Sequence, residues 1–131
     1  MGAGAGAGDH PPVAPGRGPG WAKLAEAVAR QVPPAEIETI YLFAPIKRGG
    51  REWGTAVVAR RSAEGGGRLR VYTARYMLIV RGKERGQARV TVEETALSPA
   101  EVIERVMQAA AERSGDPDPP VAIGPAAWYE D

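Results

Sequence analysis

Two stretches of the chain repeat apolar residues at the spacing of an α-helix. Between residues 21 and 32 one side is charged, with Lys23, Glu26 and Arg30, and the other side is apolar. The apolar positions are Trp21, Leu24, Ala25, Val28 and Val32. Because proline cannot continue a helix, Pro33 and Pro34 end it. The pattern predicts an amphipathic helix over residues 21–32.

The second helical stretch begins with a complete start signal. Ser98 stands at the N-cap, Pro99 at the first helical position, and Glu101 three residues after the serine, as in a capping box. An apolar stripe follows and is expected to face the core: Val102, Ile103, Val106, Met107 and Ala110. These features predict a helix over residues 99–113.

Between the two helices the apolar residues follow a strand pattern instead. Residues 36–46, 52–61, 68–80 and 87–95 are rich in β-branched, aromatic or alternating apolar residues, and each stretch predicts a strand. Turns are indicated by Gly49-Gly50 and by the segment GKERG at 82–86. Because proline has no backbone N–H, we expect Pro45 to mark an edge or a bend.

The third predicted strand carries the most regular alternation. Arg68, Arg70 and Tyr72 share one face, and Leu69, Val71 and Thr73 share the other. Arg75 falls on the second face if the strand continues without interruption. A bulge near Ala74 would return Arg75 to the arginine face, and a bend in the strand is the alternative.

The order of these elements predicts an α+β fold. We expect an N-terminal helix, a four-stranded antiparallel meander and a C-terminal helix, with the helices packed on one sheet face. Across residues 36–113 this ββββα order is similar to that of the single-strand-binding folds of Whirly and Pur-type proteins. The resemblance lies in element order alone, so it implies a nucleic-acid ligand as one alternative and transfers no site residues.

Composition divides the chain into three parts. Residues 1–19 are rich in Gly, Ala and Pro, and residues 115–131 are rich in Pro and acidic side chains. The leader cannot bury enough apolar surface to offset its ordering entropy. We expect one domain over residues 20–114, with a leader and a tail that are mobile unless a partner orders them. The chain has no cysteine, no signal-peptide pattern and no apolar run of membrane-spanning length. A cytoplasmic protein without a membrane partner is expected.

Charge is distributed unevenly although the net charge is only +1. Residues 47–89 carry twelve basic and three acidic side chains, whereas residues 90–131 carry two basic and nine acidic side chains. If the helices cover one sheet face, the basic side chains and two aromatic ones gather on the other face and its turns. This expected basic face comprises Arg48, Arg51, Trp53, Arg60, Arg61, Arg68, Arg70, Tyr72, Arg75, Arg81, Lys83, Arg85 and Arg89.

Two functions fit such a face. The first is docking of another protein or a second copy of this chain, as in an assembly subunit. The second is binding of single-stranded nucleic acid, in which cations follow the phosphates and aromatic rings stack on bases. A solvated surface without a ligand is the simpler alternative, because most charged surfaces are of that kind. Trp128 and Tyr129, near the acidic end of the tail, suggest either a recognition motif for a partner or a segment that folds back on the arginines. A tail end without a function is the simpler alternative.

Catalytic residues are hard to assemble from this sequence. The single histidine, His10, lies in the leader, and the glutamates of the second helix are expected to face water. The serines stand in no nucleophile motif, and Gly65–Gly67 lacks the Lys-Ser/Thr of a phosphate-binding loop. We therefore expect a non-catalytic protein that needs neither a cofactor nor a metal.

Overall fold

The computed structural model describes residues 18–61, 65–112 and 120–129. Three helices are present in these ranges: α1 (Pro19–Gln31), α2 (Pro99–Ala111) and the short α3 (Pro125–Tyr129). The strands are β1 (Ile37–Leu42), β2 (Ile46–Arg48), β3 (Arg51–Arg60), β4 (Leu69–Ile79), β5 (Ala88–Leu97) and β6 (Val121–Ile123). No helix in these ranges is both long enough and apolar enough to cross a membrane.

The strands form one sheet in the order β5-β4-β3-β1-β6, and every described pairing is antiparallel. The predicted α+β class and antiparallel sheet are therefore confirmed. The first predicted strand, 36–46, ends early, because β1 stops at Leu42. A further strand, β2, begins only at Ile46 and also pairs with β3. Pro45 accounts for this break, since it cannot donate a hydrogen bond to the ladder.

The two long helices pack on opposite faces of the sheet, which corrects the expectation that both lie on one face. On the α1 side, Trp21, Leu24 and Val28 form a buried cluster with strand residues that include Ala56, Val58, Tyr72, Ala74 and Tyr76. On the α2 side, Val102 and Val106 form a second cluster with Val57, Ala59 and Val71. Residues 56–59 of β3 are all buried because alternate side chains enter different clusters.

The α2 helix begins at the predicted capping box. The Ser98 side chain accepts a hydrogen bond from the Glu101 backbone N–H at 3.3 Å, and the Ser98 N–H donates to Glu101 Oε1 at 2.8 Å. The buried stripe is narrower than predicted: Ile103 is 52% exposed and Met107 is 66% exposed. Both residues were expected in the core, but α2 contacts the sheet through Val102, Val106 and Ala109 instead.

Part of the expected tail belongs to the fold. Residues of β6 pair with β1, from Ile40 opposite Ile123 to Leu42 opposite Val121. Trp128 of α3 is only 8% exposed, and its ring lies 6.3 Å from that of Trp21 in an edge-on arrangement. The mobility expected beyond residue 115 therefore does not describe residues 121–129. The leader up to residue 17 and residues 113–119 lie outside the described residues, as does His10.

Candidate functional site

The register of the sheet places the expected basic face on two different surfaces. Pairing of β4 with β3 and with β5 runs without a shift, so the bulge expected near Ala74 is absent. Strict alternation then places Arg70 and Tyr72 on the α1 side and Arg75 on the α2 side. The thirteen candidates therefore do not share one open face.

Tyr72 is not available as a stacking platform. It is 1% exposed and belongs to the buried cluster beneath α1. Its hydroxyl oxygen accepts a hydrogen bond from Arg60 Nη1 at 3.4 Å. The sequence placed Tyr72 on the face of Arg70 correctly, but could not show that α1 covers that face.

Five of the candidate arginines are paired with carboxylates of the same chain. Arg60 pairs with Glu36, Arg70 with Glu94, Arg61 with Glu38 at 3.6 Å, and Arg68 with Glu101 at 3.8 Å. Arg75 contacts Glu112 at 2.8 Å and Glu93 at 3.1 Å. Exposed pairs of this kind contribute little stability, roughly 0–1 kcal/mol each. Their effect on function is larger, because an arginine that is already paired is less available to a phosphate.

Two of these arginines are held more firmly in the charged state than usual. The hydrogen bond to Glu36 raises the pKa of Arg60, against the opposing effect of burial. For Arg75, burial lowers the pKa, but hydrogen bonds to Glu112 and Glu93 outweigh it and raise the pKa overall. Both side chains therefore act as fixed positive charges within the fold.

The remaining candidate cations are exposed and make no ion pair within the described residues. They are Arg48, Arg51, Arg81, Lys83, Arg85 and Arg89. The first two flank the turn between β2 and β3, and the others lie in or beside the turn between β4 and β5. Because these turns adjoin at one end of the sheet, the unpaired positive charge is concentrated there.

Within the described residues, no helix covers the same end of the sheet on the α2 side. In β3, β4 and β5, the apolar residues beneath α2 lie towards the opposite end of the strands: Val57, Ala59, Leu69, Val71 and Leu97. Tyr41 and Phe43 complete the cluster. Beyond that contact, one row of paired residues crosses four strands. Ile46 lies opposite Trp53, Trp53 opposite Met77, and Met77 opposite Arg89. The adjacent row contains Arg48, Arg51 and Ile79. We call these two rows the open half-face.

Trp53 is an exposed large apolar residue of the open half-face, with 37% of its surface exposed. It borders a pocket of about 330 Å³. The pocket is lined by Ile46, Arg48, Trp53, Gly54, Thr55, Arg75, Tyr76 and Glu112. An indole that borders a pocket beside unpaired arginines can bind both an apolar and an acidic group.

Gly54 lines the pocket, and its lack of a side chain leaves room for the Tyr76 ring on the α1 side of the sheet. A Cβ at position 54 would lie 2.1 Å from Tyr76 Cε2, and a Cβ at Gly20 of α1 would lie 2.2 Å from Tyr76 Cε1. The Tyr76 ring is therefore held between two glycines, and its hydroxyl donates to Glu52 Oε2 at 2.5 Å. Sequence reasoning missed this arrangement, although glycine inside a strand is a signal of close approach.

A second cleft, of about 520 Å³, lies where the two turns adjoin. It is lined by Gly49, Gly50, Arg51, Ile79, Arg81, Gly82, Lys83 and Glu84. The Val80 N–H donates to the Gly50 carbonyl oxygen at 2.9 Å, which holds the end of β4 against the glycine turn. The cleft contains three cations and one carboxylate, so an anion is the ligand that its charge favours.

The tail residues occupy a different region. Trp128 is buried against Trp21 on the α1 side, so it is not an exposed anchor in this structure. The side chain of Tyr129 lies outside the described residues. No group of three or more His, Asp or Glu side chains that could hold a metal ion occurs within residues 18–61, 65–112 and 120–129.

Comparison of this chain with family models, with curated proteins and with solved structures finds no match.

Proposed function

We propose that the protein is a non-catalytic binding module that docks another protein on its open half-face. The observation that carries this proposal is the exposure of Trp53 beside a pocket. Arg48 and Arg51 lie nearby, without an ion pair and without a covering helix among the residues that the structure describes. Tryptophan and arginine are the residues most enriched at the energetic centres of protein interfaces. Ile46 and Met77 extend the apolar surface on either side of Trp53.

The pocket and the arginines of the open half-face indicate what kind of partner it binds. The pocket of about 330 Å³ lies at the lower end of the range for ligand sites, about 300–1,000 Å³, and suits a single bulky side chain. Arg48 and Arg51 flank it without a carboxylate partner in the described residues. The favoured partner is therefore an acidic segment of another protein that inserts one aromatic or aliphatic side chain beside Trp53.

Site-specific photocrosslinking in the cells that make the protein tests this proposal. A benzophenone amino acid at Thr55, which lines the pocket, should yield a discrete protein adduct, and Trp53→Ala in the same chain should abolish it. The matched control places the probe at Gln108, an exposed position on α2. Equal adducts at both positions, or adducts that survive Trp53→Ala, would contradict the proposal.

Single-stranded nucleic acid is the second candidate, favoured by the six unpaired cations at the turns. Against it stands the burial of Tyr72, which leaves Trp53 to supply the stacking contact. Phosphate binding would weaken steeply with added salt, and Arg81→Gln with Lys83→Gln should flatten that slope. A nuclease-sensitive adduct at Thr55 in the crosslinking experiment would decide in favour of this candidate.

A further inference from the structure

The outer edge of β5 points to a second copy of this chain. We propose that two copies pair their β5 strands antiparallel, about a twofold axis that passes between the two Thr91 residues. The partner is identified by charge complementarity along the strand and by the geometry of its free backbone groups. The inference does not rest on the proposed function, because it needs no other protein, although Arg89 belongs both to the open half-face and to the edge of β5.

In the described structure β5 is the terminal strand of the sheet, with β4 on its inner side. It is ten residues long, contains no proline and pairs with β4 from Leu69–Leu97 to Leu78–Ala88 without a bulge. Long, regular edge strands are ready to pair with another chain, and proteins normally interrupt them with a proline, a bulge or a cover. None of these three devices occurs along β5 in the described residues. Charged side chains, which also protect edge strands, are present as Arg89, Glu93 and Glu94.

One hydrogen bond shows which residues of β5 direct their backbone N–H and C=O groups towards β4. The Ile79 N–H donates to the Gln87 carbonyl oxygen at 2.9 Å, so Gln87 and alternate residues after it direct their backbone groups towards β4. The intervening residues direct their N–H and C=O groups outward. Val90 and Val92 therefore lie centrally in the free backbone edge, with Ala88 and Glu94 continuing it. The edge ends at Ala96, whose carbonyl oxygen accepts a hydrogen bond from Arg68 Nη1 at 3.1 Å.

A partner strand must pair through these outward groups, which restricts the register to steps of two residues. With Thr91 opposite its own copy, Val90 forms hydrogen bonds with Val92 of the other copy, and Arg89 lies directly opposite Glu93. Moving by one step places Arg89 opposite Thr91 or Thr95, where no carboxylate is present. Larger shifts place Arg89 opposite Arg89, or Glu93 opposite Glu93, and like charges directly opposite destabilise a sheet.

In one copy, the charges around Arg75 and Arg89 are not balanced by ion pairs, and a second copy would balance them. Arg75 is shared by Glu93 and Glu112, which leaves one negative charge in excess. Arg89 is exposed and makes no ion pair in the described residues. Each of the two Arg89–Glu93 contacts across the twofold axis would neutralise one excess negative charge. Arg89 and Glu93 occupy a non-hydrogen-bonded pair, where facing side chains are closest.

Burial of apolar surface on the α1 side of the sheet also favours the dimer. Val90 and Val92 are only partly buried and pack against the α1-side cluster. A strand placed beside them would cover their remaining surface, because the two valines of each copy would face those of the other. The twofold axis is perpendicular to the sheet, so both open half-faces would lie on the same side of the assembly.

Charge reversal tests the pairing by analytical ultracentrifugation. We expect wild-type protein to dimerise and Arg89→Glu or Glu93→Arg to weaken the dimer about tenfold or more, since each creates two repulsive contacts. Mixing the two variants should restore a dimer, because every facing pair is then of opposite charge. The double variant Arg89→Glu/Glu93→Arg should also dimerise. A monomeric wild-type protein, or variants that dimerise alone as well as mixed, would overturn the proposal.

A single cysteine tests the register. The chain has no cysteine, so Thr91→Cys introduces one unambiguous thiol, and facing residues of this kind lie within disulfide range. Mild oxidation should link Thr91→Cys chains into covalent dimers at least about tenfold faster than Thr95→Cys chains. Thr95 is the matched control, since it lies on the same face of β5 but faces Gln87 in the proposed register. Equal rates would refute the register and, with it, the pairing.

Discussion

Replacing Gly54 with alanine probes the close packing beneath the pocket. The added Cβ would lie 2.1 Å from Tyr76 Cε2 and 2.6 Å from Tyr76 Cζ, well inside the contact distance of two carbon atoms. The ring cannot simply move away, because its other edge lies against Gly20, where a Cβ would be only 2.2 Å from Tyr76 Cε1. Relief therefore requires a shift of β3, β4 or α1.

The expected cost follows from the depth of this overlap. Overpacking a core typically costs about 1–3 kcal/mol, and we expect Gly54→Ala to reach the upper part of that range because the ring is blocked on both sides. Part of the cost is offset by the smaller conformational entropy of alanine in the unfolded chain, about 0.4–1 kcal/mol. For a domain of this size, a net loss of about 2 kcal/mol lowers Tm by roughly 8–16 °C.

Urea unfolding of single and double variants measures the effect and its cause. Gly124→Ala is the matched control, because a Cβ there meets nothing within 4 Å, and we expect a change within about 0.5 kcal/mol. In a Tyr76→Val background the clash is absent, so the cost of Gly54→Ala should largely disappear. A Gly54→Ala variant as stable as the control, or a cost that is the same with and without the Tyr76 ring, would contradict a clash between position 54 and that ring.

Three further changes test other parts of the fold by urea unfolding. Trp128→Ala should cost about 3–5 kcal/mol because the indole is buried, whereas Val121→Ala at an exposed position should change stability little; a harmless Trp128→Ala would contradict the packing of α3. Ser98→Ala should cost about 1 kcal/mol through loss of the N-cap, and an unchanged unfolding midpoint would argue against the capping box. Hydrogen bonds from the Ser98 backbone and side chain, together with Arg68, lower the pKa of Glu101. Its contribution to stability is therefore present above its unfolded pKa and lost as pH falls through the lower, folded value. Glutamine at position 101 can keep the capping hydrogen bond but cannot titrate. Between neutral pH and about pH 3, Glu101→Gln should therefore lose less stability than wild type. Equal losses would show that the Glu101 carboxylate does not stabilise the fold.

Local signals account for the elements that sequence reasoning found. The capping box of Ser98 and Glu101 involves residues three positions apart, so its geometry is encoded in a single turn. The prolines after residue 32 end α1 for an equally local reason. Alternation along β4 assigned Arg70 and Tyr72 to one face and Val71 to the other, as the sheet register confirms.

Long-range packing explains most of what the sequence did not show. Val121–Ile123 is too short to predict a strand, and it becomes one because the edge of β1 accepts it. Trp128 looked like an exposed anchor because nothing near it in sequence indicates that Trp21 lies beside it. Similarly, the exposure of Ile103 and Met107 depends on which face of α2 contacts the sheet.

In the candidate site, too, local sequence signals explain some features and long-range packing explains the others. The sequence by itself determined which residues alternate, where the cations are concentrated and where glycine permits close approach. Only the tertiary structure decided that α1 covers Tyr72, that α2 covers only one end of the other face, and that Glu93 and Glu112 pair with Arg75. Alternation and capping act between neighbours in the chain, whereas burial and ion pairing depend on residues that only folding brings together.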